Sequence, residues 1–236
     1  MHIAGLQKMT LLDYPGRVAC TVFLHGCNFR CPFCHNSGLL TGPGQELMTQ
    51  EALLAFLEKR KGLLDGVCIT GGEPTLQKDL PQLLHSIKAL GYYVKLDTNG
   101  GRPEVLKALV EAGLVDYVAM DIKNSPARYA ETAGVKEDML DAVSKSAAYL
   151  LLGKTAYEFR TTVVAELHDA DSIREMGQWV QKLGKGKTVQ HWYLQRYTDR
   201  DSILQAGLHA PENAKMQQYA EILTPFAAAV DLRGVE

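Results

Sequence analysis

Six short runs of apolar and β-branched residues recur along the chain, each followed by a longer stretch of helical period, and that alternation leaves few folds open. Val18 to Leu24, Gly66 to Ile69, Tyr92 to Asp97, Tyr117 to Ile122, Phe159 to Val164 and Val189 to Leu194 are compact runs of the kind needed by strands buried on both faces. Between them, Met48 to Lys59 places Leu53, Leu54 and Leu57 on one helical face with Thr49 as N-cap. Leu80 to Leu90, Pro103 to Ala112, Lys136 to Leu152, Ser172 to Leu183 and Glu212 to Ala229 keep the same period, and Pro103 and Pro211 suit a first helical turn. Strand alternating with helix predicts an α/β fold with a parallel sheet. Six units fall short of the eight that close a barrel, so the expected architecture is a partial (β/α)6 barrel, open laterally. A chain of 236 residues suits one core, and residues 1–236 are expected to form a single domain. No internal repeat interrupts it, and Gly38 to Gly44 is the most turn-rich connection.

Lys and Arg together number 25 against 27 Asp and Glu, a balance that gives no electrostatic reason to expect a nucleic-acid partner. The N-terminal segment Met1 to Lys8 lacks a basic stretch followed by an apolar core, and no apolar run approaches the roughly 20 residues needed to cross a bilayer. A soluble, cytoplasmic protein with no membrane association is expected.

Three of the five cysteines fall in Gly26-Cys27-Asn28-Phe29-Arg30-Cys31-Pro32-Phe33-Cys34-His35-Asn36, directly after the first strand run. Such crowding suggests metal rather than a disulfide scaffold. Cys20 and Cys68 sit inside apolar runs and are expected to behave as small buried hydrophobes. A Cys-x3-Cys-x2-Cys loop can wrap one iron-sulfur cubane, which normally takes four cysteines. With three, one iron keeps an open coordination position, which in metal sites generally marks catalysis. A structural zinc site using the three thiolates and His35 is the competing reading, and His35 could equally tune a cluster from outside or be an ordinary loop residue.

Ligands of open α/β sheets bind outside the carboxyl ends of the strands, and polar motifs follow the strand runs here. Thr70-Gly71-Gly72-Glu73-Pro74 combines two glycines that permit close backbone approach with a carboxylate able to accept from an ammonium. Asp97-Thr98-Asn99-Gly100 ends the third run and Asp121-Ile122-Lys123 the fourth; taken alone, Asn99-Gly100 also fits an ordinary left-handed turn. Arg160 lies within an otherwise apolar strand and needs a polar or anionic partner, which could be a ligand or the nearby acid Glu158. Gln195-Arg196-Tyr197 follows the sixth run, while packing suffices to explain His191 and Trp192.

The run Cys27-x3-Cys31-Pro32-Phe33-Cys34 resembles the radical S-adenosylmethionine superfamily. With His35-Asn36 and the upstream Leu11-Leu12-Asp13-Tyr14-Pro15-Gly16-Arg17, nearly the whole chain resembles the activating enzymes of glycyl radical enzymes, most closely the branch serving anaerobic ribonucleoside-triphosphate reductase. The resemblance implies a [4Fe-4S] cluster on Cys27, Cys31 and Cys34 that reductively cleaves S-adenosylmethionine to a 5′-deoxyadenosyl radical. It implies a cofactor site formed by Phe33, Gly71, Gly72, Glu73, Pro74, Asp97, Thr98, Asn99, Asp121, Lys123, Arg160 and Gln195, with Glu73 on the methionine amino group. Asp97, Thr98 and Asp121 match residues of pyruvate formate-lyase activating enzyme that lie by a monovalent cation, so a cation is expected there; Lys123 would contact the cofactor or an incoming peptide. A flavodoxin or ferredoxin type donor would supply electrons, and a glycine of a partner glycyl radical enzyme would lose hydrogen. The chain lacks further Cys-x2-Cys pairs, so one cluster per chain is expected. A radical enzyme acting on a small molecule or another peptide would carry the same cofactor motifs, and a sensing or docking module would leave them unexplained.

Overall fold

A computed structural model describes residues 3–40, 47–136, 139–199 and 203–235. The expected turn-rich Gly38 to Gly44 therefore lies mostly outside the described residues, as does part of the start expected for the helix Lys136 to Leu152. The strands follow one another in a single open sheet in chain order: β1 (Ile3–Thr10), β2 (Ala19–Leu24), β3 (Gly66–Gly71), β4 (Tyr93–Thr98), β5 (Tyr117–Asp121), β6 (Ala156–Val163), β7 (Val189–Arg196) and β8 (Ala227–Arg233). The helices are α1 (Gln50–Glu58), α2 (Leu80–Ala89), α3 (Pro103–Glu111), α4 (Tyr129–Ala133), α5 (Met139–Leu150), α6 (Ala170–Leu183) and α7 (Asn213–Leu223).

All six expected strands form. Two more were not foreseen. Ile3–Thr10 pairs antiparallel with β2, and Ala227–Arg233 pairs parallel with β7, where the sequence had suggested a helix continuing to Ala229. That helix stops at Leu223, and a 3-10 turn containing Pro225 follows; proline lacks the N–H that a continuing helix would require.

The chain packs as two compact units. The first comprises residues 1–28, 38–98 and 104–119 and holds β1 to β4, α1, α2, nearly all of α3 and the start of β5. There β2, β3 and β4 run parallel, with Cys20 opposite Val67 and Val67 opposite Val94. Val22, Ile69 and Leu96 are fully buried, as are Leu53 and Leu57 of α1 and Leu80, Leu84 and Ile87 of α2. Each such side chain contributes roughly 1.5–3 kcal/mol by leaving water. Thr49 caps α1 as expected, its hydroxyl accepting from Ala52 N.

The second unit comprises residues 29–37, 99–103 and 120–236. Its β6, β7 and β8 are parallel, and α5, α6 and α7 pack in succession. Trp192 is fully buried edge-on against Phe159, with its indole N–H donating to Thr161, so it is a packing residue as expected.

Candidate active site

In the first unit the polar motifs lie at the carboxyl ends of β2, β3 and β4. Gly71 has a φ of +117°, and a Cβ there would come within 2.3 Å of Leu24 N and O; a Cβ on Gly72 would come within 2.0 Å of Gly26 O. The two glycines thus serve a close approach between backbones, in which Glu73 N donates to Gly26 O at 2.7 Å, directly before Cys27. Gln77 Nε2 donates to His25 O, a second tie onto the same segment.

Glu73 is completely buried. Its Oε1 accepts from Thr75 N at 3.0 Å, the Thr75 hydroxyl at 2.5 Å and the Thr98 hydroxyl at 2.8 Å. Pro74 opens the short 3-10 turn that Glu73 caps. Three neutral donors hold the carboxylate in place, and a cationic ligand is the partner that would compensate its burial most fully. Asp97 belongs to another cluster: its Oδ1 lies 2.5 Å from Lys95 Nζ and 3.7 Å from Cys68 Sγ. Cys68 therefore borders a charged pair rather than the apolar environment expected for it, whereas Cys20 is a buried hydrophobe whose thiol is pushed up to about 12 by desolvation.

The Asp13-Tyr14-Pro15-Gly16-Arg17 segment is at the opposite, amino ends of these strands. Asp13 accepts from the Thr21 hydroxyl, Tyr14 is buried against Tyr117, and the Arg17 guanidinium lies 3.4 Å from the centre of the Tyr93 ring. A Cβ on Gly66 would lie 2.9 Å from the Tyr14 ring, so the motif has a packing role.

In the second unit, the loop from Phe29 to Ser37 is anchored to α4. Arg30 N donates to Ala133 O, the Cys31 thiol lies 3.5 Å from the same oxygen, and a Cβ on Gly134 would come within 2.1 Å of Arg30 O. Pro32 O accepts from Leu204 N and Gln205 N. Phe33 is buried, with Lys123 Nζ 5.9 Å from the centre of its ring. His35 Nε2 donates to Thr198 O, so that ring nitrogen is engaged by backbone. Cys34 is half-buried, and none of the five cysteines is in a disulfide.

Asp121 ends β5 with Oδ2 accepting from Lys123 Nζ at 2.8 Å and Oδ1 from Arg160 Nε at 3.1 Å. Asp121 is therefore an acid that pairs with Arg160; Glu158 points its Oε1 toward Arg233 at 3.9 Å. Desolvation of Lys123 favours its neutral form, yet the Asp121 carboxylate and the Cys31 sulfur outweigh this and raise its pKa. Asn99 Oδ1 accepts from Gly101 N while Gly100 takes a φ of +74°, the left-handed turn that this pair was expected to allow. Gln195 is exposed at the end of β7, whereas Arg196 donates to Pro211 O and Tyr197 is buried, which gives both structural roles.

Among the described residues, no three His, Cys, Asp or Glu side chains form a ready-made metal site. The donor set nonetheless fits an iron-sulfur cluster: three thiols outside any disulfide in an eight-residue loop, tied down by backbone on either side.

The sequence profile of the radical SAM superfamily matches residues 21–150, more than half of the chain. The chain belongs to the radical SAM superfamily. As a radical SAM protein it is an enzyme, and the cofactors of this superfamily are a [4Fe-4S] cluster and S-adenosylmethionine. Over 99% of its length and 96% of the relative's, it is 29% identical to a Methanocaldococcus jannaschii protein provisionally named a glycyl-radical enzyme activating enzyme. It is 32% identical to a protein of Thermococcus kodakarensis provisionally named a GTP 3′,8-cyclase, over 67% of this chain and 51% of that one. Streptococcus suis SuiB bound to S-adenosylmethionine shares the fold, with a TM-score of 0.68 at 15% identity over 91% of this chain and 52% of that one. This radical SAM chain thus spans about half the length of the last two.

Three residues of the neighbourhood escaped the sequence reading. Lys95, 1% exposed within β4, holds Asp97. Thr75 holds Glu73. His168, buried, accepts from Val164 N at Nδ1 and donates from Nε2 to Lys123 O.

Proposed function

We propose that this radical SAM enzyme is an activase that generates a glycyl radical on a partner enzyme. Cys27, Cys31 and Cys34 would hold the cluster. When bound, cluster and S-adenosylmethionine would supply the radical chemistry that removes hydrogen from a glycine Cα of the partner. Glu73, oriented by Thr75 and Thr98, receives the methionine amino group, with Gly71, Gly72 and Pro74 shaping the backbone around it. Phe33, Asp97, Asn99, Asp121, Lys123, Arg160 and Gln195 contribute the remaining cofactor contacts. The superfamily profile runs through residues of both compact units, which supports one functional domain over the whole chain.

The observation that carries the glycyl substrate is the end-to-end likeness to the archaeal protein named for that activity. Anaerobic ribonucleoside-triphosphate reductase is the proposed partner, on the strength of Asp13-Tyr14-Pro15-Gly16 and His35-Asn36, with a flavodoxin or ferredoxin type protein as electron donor. No described helix is long and apolar enough to cross a membrane, in keeping with a cytoplasmic location. The test is to incubate reduced, reconstituted protein and S-adenosylmethionine with that reductase and look for the glycyl doublet by electron paramagnetic resonance. A doublet with the reductase supports the assignment, and silence with every glycyl radical enzyme tried sinks it. The likeness to the cyclase favours a second reading, radical chemistry on a small molecule or another peptide, which turnover without a protein partner would establish.

A further inference from the structure

The resemblance to pyruvate formate-lyase activating enzyme raises the expectation of a monovalent cation at Asp97, Thr98 and Asp121, yet each carboxylate already meets a positive side chain of its own unit. Lys95 precedes Asp97 by two residues on β4, so the two side chains leave the same face of the strand. Its Nζ lies 2.5 Å from Asp97 Oδ1 and 3.9 Å from Cys68 Sγ, and the side chain is 1% exposed. An ammonium buried this deeply needs an anion in contact, and Asp97 is that anion. Ammonium and potassium ions carry the same charge and contact oxygen at similar distances, so Lys95 Nζ offers Asp97 what the metal ion would. The Thr98 hydroxyl donates to Glu73. In the second unit, Lys123 and Arg160 take one oxygen each of Asp121. A further cation on Asp97 would sit beside the buried Lys95 ammonium where water screens little, and the two would repel; Asp121 already carries two positive side chains.

We infer that Lys95 is a built-in replacement for the monovalent cation, so that this enzyme binds its cofactor without sodium or potassium. The inference rests on the proposed placement of Asp97 in the cofactor site. Reconstituted protein is exchanged anaerobically into choline chloride, and S-adenosylmethionine binding is followed by equilibrium dialysis while potassium replaces choline at constant ionic strength. Wild-type affinity should change by less than about twofold. The Lys95→Met variant, which empties the ammonium position, should bind at least about tenfold more weakly in choline and recover with potassium, a rescue that a merely structural lysine would not produce. Tightening of wild-type binding by about tenfold or more on adding potassium overturns the inference. Should the variant fail to fold, the wild-type titration still decides. Absence of cofactor binding in every salt would count against the proposed function alone; thallium-205 resonance of the wild-type protein then decides, with saturable, potassium-competed binding overturning the inference and none supporting it.

Discussion

Glu73 places its carboxyl group where water does not reach, held by two hydroxyls and one backbone amide on a single oxygen. A charge-assisted hydrogen bond is worth roughly 1.5–3 kcal/mol. Glu73→Gln keeps an oxygen for Thr75 and Thr98 but loses the charge, so S-adenosylmethionine affinity should fall about 10- to 100-fold at unchanged iron content. Equilibrium dialysis beside an iron assay measures this, and unchanged affinity would remove Glu73 from the cofactor site. At this scale the sequence is informative wherever a residue type is unusual for its place. Arg160 is legible as a charge in an apolar strand, and Lys95, flanked by Val94 and Leu96, is open to the same argument. Partner choice was less legible: nothing in the order of residues says that Arg160 meets Asp121 across 39 positions.

Among the elements, the turn between β6 and α6 shows how local packing fixes a residue of the proposed site. His168 joins Val164 at the end of β6 to Lys123 after β5, and its bond from Val164 N requires the neutral ring protonated on Nε2. Burial lowers its pKa from 6.5 to about 4. The unfolded chain takes up a proton below about 6.5 that the folded one refuses until about 4, so this contribution is complete above that window and lost as pH falls through it. Stability should drop by roughly 2 kcal/mol between pH 7 and 4.5 from this group alone. Urea unfolding of the wild type and His168→Gln at both values measures it; an equally steep acid loss in the variant would assign the effect elsewhere. The central strands were legible because burial on both faces demands unbroken apolar runs. The two end strands were not: β1 includes Gly5 and an exposed Gln7-Lys8-Met9 stretch, and the alanines of β8 favour helix until Pro225 and pairing with β7 decide otherwise.

For the molecule as a whole, the order of motifs along the chain carried more than any single one. Cysteines after β2, Gly-Gly-Glu-Pro after β3, Asp-Thr-Asn-Gly closing β4 and Asp-Ile-Lys closing β5 form one series of strand ends, and the superfamily profile matches the stretch containing them. Cys27 packs with the first compact unit and Cys31 and Cys34 with the second, a division that residue spacing alone does not reveal. The most direct test of the account is the yield of 5′-deoxyadenosine from anaerobically reconstituted, dithionite-reduced protein given S-adenosylmethionine, beside a Cys31→Ala control. The account predicts product from the wild type and at least a hundredfold less from the control. A fully loaded cluster that yields no 5′-deoxyadenosine, or a control that yields as much as the wild type, would contradict it.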